Sequence, residues 1–160
     1  MAISVVGGDW ALIGYDIDGV LCVGPDPRPK PYMRQNKHER RSYEEYLVLH
    51  YANAPFIFAP DTDFVAITAR KNTPEIVAAT SSWMMKHQPH VLGIYYLSKS
   101  KSRENVAEHK FNTIKTLGVT RYTDDNKTVL NDLMDMGIDA ELWWYNTKRR
   151  EAIPYERKAK

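Results

Sequence analysis

Two carboxylates spaced two residues apart are the first feature of this chain that could do chemistry. Asp16 and Asp18 directly follow a short apolar run at residues 10–15, within the segment DIDGVL. Side chains at positions i and i+2 of an extended backbone share a face, and two close carboxylates repel unless a cation separates them or one keeps its proton. The spacing indicates a cation site, although a solvated turn explains these Asp and Gly residues equally well.

Further polar residues occur at comparable places along the chain, where apolar runs end or a helix begins. They are Thr68, Lys110, Asp124 and Asp125. Hydrophobic patterning requires none of them. Oxygen ligands with no nitrogen or sulfur among them suit Mg²⁺, and a nearby lysine would neutralise part of their charge and hold an anionic substrate. Together these residue types indicate a metal-assisted reaction on an anion.

The apolar and amphipathic segments predict how these residues are brought together. Five short apolar runs predict strands at residues 10–15, 63–67, 91–97, 119–123 and 140–145. Amphipathic segments predict helices at residues 39–51, 74–86, 110–117 and 127–136, a loop or frayed helix at 98–108, and a loosely docked basic tail at 146–160. Such alternation predicts a parallel sheet covered on both faces, whose ligands bind beyond the carboxyl ends of the strands.

Length and composition limit the class of protein. The 160 residues predict a single domain at 1–160, with a core at about 10–145. A net charge of +2 does not indicate nucleic-acid or membrane binding. The single cysteine, Cys22, excludes an internal disulfide and multi-cysteine zinc modules, and its apolar neighbours predict a small buried side chain. With no long apolar segment and no signal-like start, a cytoplasmic protein that does not enter membranes is expected.

At this point the sequence resembles the haloacid dehalogenase superfamily. The segment YDIDGVL at residues 15–21 resembles its first motif, ITAR at 67–70 its second, Lys110 its third and YTDDN at 122–126 its acidic fourth. Each of the second and third is weak alone, but the order and spacing of all four are specific. The resemblance implies a Rossmann-like three-layer α/β sandwich with a central, mostly parallel five-stranded sheet and a minimal cap.

The resemblance also implies a Mg²⁺-dependent phosphatase that works through an aspartyl-phosphate. Asp16 would be the nucleophile, and Asp18 the general acid and then the general base. The metal would be held by Asp16, by the backbone carbonyl of Asp18 and by one of Asp124 and Asp125. Substrate phosphate would meet Thr68, Ala69, Arg70 and Lys110.

The substrate class stays open at this level. The intervals from Asp16 to Thr68 and from Thr68 to Lys110 leave no room for a large lid, so an open site is expected. Small-molecule phosphoesters, nucleotides and a phosphorylated nucleic-acid end all remain possible substrates. A non-catalytic module that only binds phosphate remains the alternative to an enzyme. Arg70 is interpreted either as a substrate contact or as half of a surface salt bridge. Residues expected to form a solvated loop or to line the rim of the site are Arg28, Lys30, Arg34 and Lys37.

Overall fold

Strands and helices alternate along the chain, as the apolar runs and amphipathic segments predict. A computed structural model describes residues 11–26 and 37–157, the side chains of residues 37–41 excepted. The elements in chain order are β1 (Leu12–Tyr15), α1 (Lys37–Asn53), β2 (Phe64–Lys71), α2 (Pro74–His87), β3 (Val91–Leu97), α3 (Arg103–Leu117), β4 (Val119–Asp124), α4 (Lys127–Asp135), β5 (Glu141–Asn146) and β6 (Glu151–Pro154). The α/β class is therefore confirmed.

The strands form one six-stranded sheet in the order β3-β2-β1-β4-β5-β6. The first five strands are parallel, and β6 pairs antiparallel with β5. The prediction of five strands and a loosely docked tail is wrong here, because four exposed residues ending in proline carry no periodic apolar signal. A turn returns the chain to β5, and the Asn146 side chain holds it by accepting the backbone N–H groups of Lys148 and Arg149 at 3.1 and 3.3 Å.

Helices cover both faces of the sheet. Alternate residues of β2 point to opposite faces: Val65 and Ile67 pack with buried residues of α3 and α4, whereas Phe64 and Ala66 pack with Trp83 of α2. Strand β2 is therefore apolar on both sides, as a buried parallel strand requires. Within the described residues, none of the helices combines the length and apolar character needed to cross a bilayer.

Of the element boundaries that differ from the sequence prediction, two bear directly on the site. Helix α3 begins at Arg103, where the Ser102 side chain caps its N-terminus. The polar residues 103–108, expected to be loop or frayed helix, are its first turns, and Lys110 lies inside the helix rather than at its start. Strand β2 extends further than predicted, so Thr68 lies within the strand instead of just after it.

Candidate functional site

The candidate site lies where the strand order of the sheet reverses. Strand β1 pairs with β2 on one side and with β4 on the other. A reversal of this kind opens a crevice at the carboxyl ends of the strands, where open α/β sheets bind ligands. Asp16 directly follows β1, and Asp124 is the last residue of β4. The backbone N–H of Asp16 donates to the carbonyl of Thr123 at 2.9 Å, which keeps the two strand ends together.

Three of the predicted carboxylates converge at this crevice. One oxygen each of Asp16, Asp124 and Asp125 lies within 4.8 Å of the other two. Asp16 and Asp124 are buried, and Asp125 is half-buried. This all-oxygen donor set fits a hard divalent cation such as Mg²⁺. In the part of the chain that the structure describes, no other group of three or more acidic, histidine or cysteine side chains lies this close together.

Lys110 reaches this carboxylate cluster from α3. Its ammonium nitrogen lies 2.7 Å from Asp124 Oδ2 and 3.2 Å from Asp16 Oδ1, and its side chain is only 3% exposed. In their ionised forms, three carboxylates and one ammonium leave two negative charges uncompensated. Uncompensated buried charge is costly, so a divalent cation has the charge that this cluster requires.

Burial makes the carboxylates of the cluster hard to ionise. Burial first, and then the charge of Asp124, raise the pKa of Asp16 well above its usual range. The same two causes raise the pKa of Asp125 to about 6. Burial acts to lower the pKa of Lys110, but the facing carboxylates of Asp124 and Asp16 outweigh it and raise that pKa. The lysine therefore stays charged, and a bound cation would favour the ionised carboxylates.

Two groups that the sequence reasoning missed hold Asp124 in place. The Tyr122 hydroxyl donates to Asp124 Oδ2 at 2.7 Å, and the backbone N–H of Asn126 donates to Asp124 Oδ1 at 2.9 Å. Tyr122 precedes Asp124 by two residues in a strand, so the two side chains share a face. That two-residue periodicity was the signal in the sequence that could have placed Tyr122 beside Asp124.

Asp18 is not one of the three clustered carboxylates, and it pairs with a different residue. Arg70 Nη2 and Nε donate to the two carboxylate oxygens of Asp18 at 2.7 and 3.0 Å. Arg70 is buried, with a side chain only 2% exposed. The salt bridge considered for Arg70 is therefore present, but it does not lie at the surface, because the arginine side of the pair is buried. Metal binding through the backbone carbonyl of Asp18 stays a prediction, as does a contact between Arg70 and substrate.

A groove of about 1290 Å³ opens beside the cluster. Ala69, Arg70 and Asp125 are among its lining residues, and α1 forms an apolar wall with Leu47 and Val48. The groove is therefore much larger than a phosphate group and has space for the rest of a substrate.

Thr68 and the predicted rim residues complete the set of residues expected at the site. Thr68 is fully buried beside the groove, and its hydroxyl accepts the backbone N–H of Arg70 at 3.1 Å. A direct contact between Thr68 and phosphate stays a prediction. Of the predicted rim residues, Arg28, Lys30 and Arg34 lie outside the described part of the chain. Only the backbone of Lys37, the fourth, is described.

Cys22 is the small buried residue that its apolar neighbours predict. Its side chain is fully buried, and burial raises the pKa of its thiol to about 12. Because the thiolate is the reactive form of cysteine, Cys22 is not a candidate nucleophile.

Comparisons with other proteins add no assignment to this geometry. No model of a known protein family matches the sequence, and no curated protein matches it. The function proposed for the site rests on its residues and their arrangement.

Gly19 packs against Asp125 in a conformation that favours glycine. Its φ is +86°, and a Cβ at this position would overlap the Asp125 carboxylate. We expect Gly19→Ala to lower the free energy of unfolding by about 2–3 kcal/mol, from the backbone conformation and the overlap together. Urea denaturation measures this loss.

The matched control is Gly118→Ala. Gly118 also has a left-handed φ, +70°, but a Cβ there would meet nothing within 4 Å. It should cost about 1 kcal/mol, the backbone contribution alone. Equal losses in the two variants would show that overlap of the new Cβ with Asp125 adds nothing to the cost of the backbone conformation.

Proposed function

We propose that this protein is a Mg²⁺-dependent phosphatase of the haloacid dehalogenase superfamily, which hydrolyses phosphomonoesters through an aspartyl-phosphate. The observation that carries the proposal is the buried cluster of Asp16, Asp124 and Asp125, bridged by Lys110 at the ends of adjacent parallel strands. The order of the four sequence motifs supports the same assignment. A minimal cap is also part of the proposal, since α1 is the one helix between β1 and β2 in the described residues.

In the first half of the reaction, Asp16 is the nucleophile. Its carboxylate oxygen attacks phosphorus in line, so that an oxygen–phosphorus bond to Asp16 forms while the phosphorus–oxygen ester bond breaks. Asp18 donates its proton to the leaving oxygen, which departs as the alcohol. Lys110 and Thr68 hold the other phosphate oxygens and stabilise their charge.

In the second half, Asp18 changes from acid to base. Its carboxylate takes a proton from a water molecule, and the water oxygen bonds to phosphorus. The bond between phosphorus and Asp16 then breaks, which releases inorganic phosphate. The free carboxylate of Asp16 and the protonated Asp18 are restored, so the cycle is balanced.

The residues present fit a Mg²⁺ ion at this site. When bound, the ion would supply the positive charge that lets an anionic nucleophile approach an anionic phosphate. Asp16 and Asp125 are the side chains best placed to hold it. Both oxygens of Asp124 already accept hydrogen bonds, from Lys110 and Tyr122 on one side and from the backbone of Asn126 on the other. Asp124 therefore fixes Lys110 within the cluster.

Hydrolysis of p-nitrophenyl phosphate tests the proposal. Turnover should require Mg²⁺ and stop when EDTA removes it. A panel of nucleoside monophosphates, sugar phosphates and 3′-phosphorylated oligonucleotides then separates a general phosphatase from a nucleotidase or a polynucleotide phosphatase. Binding of Mg²⁺ and inorganic phosphate without turnover of any ester would contradict the proposed enzymatic activity and favour a non-catalytic phosphate-binding module.

A further inference from the structure

The Arg70 guanidinium makes further contacts besides its ion pair with Asp18. Its Nη1 donates to the Thr80 hydroxyl at 2.9 Å. Its central carbon lies 3.8 Å from the centre of the Tyr51 ring. A buried guanidinium needs such partners, because removing its charge from water is otherwise costly. These contacts therefore fix the guanidinium within the fold.

Arg70 Nη2 also donates to Cys22 Sγ at 3.4 Å, and the other two additional partners of Arg70 come from different helices. Tyr51 lies in α1 and is 6% exposed, and Thr80 lies in α2 and is fully buried. Neither belongs to the carboxylate cluster. The hydrogen bond of Thr80 and the ring contact of Tyr51 are both made to Arg70, which in turn holds Asp18.

We propose that Thr80 and Tyr51 are positioning residues that aim the Asp18 carboxylate, acting through Arg70. The inference rests on the proposed function, since it takes Asp18 as the acid and base of that reaction. A guanidinium is a planar fork whose parallel N–H groups match both oxygens of a carboxylate. With Thr80 on one nitrogen and the Tyr51 ring close to the central carbon, the fork is restrained from turning, and the Asp18 carboxylate that it grips is restrained with it.

This role has a chemical signature that a purely structural role lacks. Small displacements of a catalytic group slow the step in which that group takes part. Asp18 protonates the leaving oxygen, so its misplacement should matter most for esters whose leaving group departs only with a proton. An alkyl phosphate is such an ester. p-Nitrophenolate departs without a proton, so p-nitrophenyl phosphate should be affected much less.

Thr80→Val removes the hydroxyl and keeps the shape of the side chain. The ratio kcat/KM covers only the steps up to formation of the aspartyl-phosphate, and so leaves out the later water step in which Asp18 is the base for either ester. We expect kcat/KM to fall by about 10-fold for glycerol 2-phosphate and by less than about 3-fold for p-nitrophenyl phosphate. The matched control is Thr113→Val, which removes a hydroxyl that bonds within α3 to the carbonyl of His109 at 2.7 Å. The control should leave the ratio of the two kcat/KM values unchanged.

A second readout does not need turnover. Hydrogen exchange of the Arg70 Nε–H, followed by NMR, reports how firmly the guanidinium holds Asp18. Exchange should be about 10-fold faster in Thr80→Val and unchanged in Thr113→Val. Tyr51→Leu, which removes the ring, should also speed exchange, whereas Tyr51→Phe, which keeps it, should not. This second pair keeps the test decisive if Thr80→Val does not fold.

The two readouts separate the possible failures. Unchanged exchange in Thr80→Val and Tyr51→Leu would overturn the inference. Faster exchange with equal losses of kcat/KM on both esters would also overturn it, because the contacts would then be structural only. If the wild-type protein turns over neither ester, the proposed function fails, and the exchange data alone decide whether Thr80 and Tyr51 hold the Arg70–Asp18 pair.

Discussion

Replacing Asp16 with asparagine is expected to lower Mg²⁺-dependent turnover of p-nitrophenyl phosphate by at least about 10³-fold. Asparagine has nearly the same shape but is a much weaker nucleophile than a carboxylate. It also removes one of the anionic oxygens that would hold the metal. Initial rates at saturating substrate, measured on wild-type and variant proteins purified in parallel, give the ratio directly.

The same substitution should not destabilise the metal-free fold. Asp16 is one of three carboxylates packed within 4.8 Å, and burial and Asp124 already oppose its ionisation, so the neutral amide replaces a group whose charged form is costly there. Lys110 keeps its shorter contact, 2.7 Å to Asp124. The free energy of unfolding of Asp16→Asn in EDTA should therefore equal or exceed that of the wild-type protein. Lost activity with retained stability is the combination expected of a catalytic residue.

Asp63→Asn is the matched control for this change. Asp63 directly precedes β2, at the opposite end of the sheet from the cluster, and its side chain is 67% exposed. It should leave turnover within about 2-fold of wild type, as for a surface substitution away from special features. Turnover of Asp16→Asn within about 10-fold of wild type would remove Asp16 as the nucleophile.

The convergence of the carboxylate cluster was predictable from the sequence because it depends on local signals. Asp16 and Asp124 each stand at the end of an apolar run, and parallel strands place their carboxyl ends at the same edge of a sheet. The position of Lys110 was predictable only in part. Its helix was expected to begin there, but the Ser102 cap starts α3 earlier and places Lys110 in a buried position inside it.

The burial of Arg70 was not predictable from its neighbours in sequence. Arginine is mostly exposed in proteins, and Lys71 and Asn72, which follow it, are exposed. What buries the guanidinium is a set of partners from distant parts of the chain, Asp18, Tyr51 and Thr80. Strand β6 escaped prediction for a similar reason, because its pairing with β5 depends on a turn and not on its own pattern.

The stability of the metal-free protein is expected to fall as the pH rises from about 4.5 to about 7.5, relative to a variant that lacks one cluster carboxylate. Burial and Asp124 raise the pKa of Asp125 in the folded state from 3.8 to about 6. The folded protein therefore holds a proton that the unfolded chain has released over this range. That proton is lost as the pH passes the folded-state pKa, and its stabilising effect is lost with it.

The expected loss of stability follows from the raised pKa of Asp125 in the folded state. A raised carboxylate pKa is worth about 1.4 kcal/mol per unit; discounted for the partial exposure of Asp125, this gives a loss of about 2 kcal/mol. Urea denaturation in EDTA at both pH values measures it, with Asp125→Asn as the reference. Burial lowers the pKa of His109 in both proteins, so its contribution cancels in the comparison.

Mg²⁺ should reverse the trend, because it binds the ionised carboxylates. At about 100 times its dissociation constant, the ion should add about 2.7 kcal/mol to the free energy of unfolding near pH 7.5. The same Mg²⁺ concentration should add much less near pH 4.5, where protons compete for the same oxygens. Asp125→Asn should lose most of this stabilisation, while Asp63→Asn should keep it. If Mg²⁺ stabilised wild type and Asp125→Asn equally, the ion would be binding elsewhere, and the carboxylate cluster would not be its site.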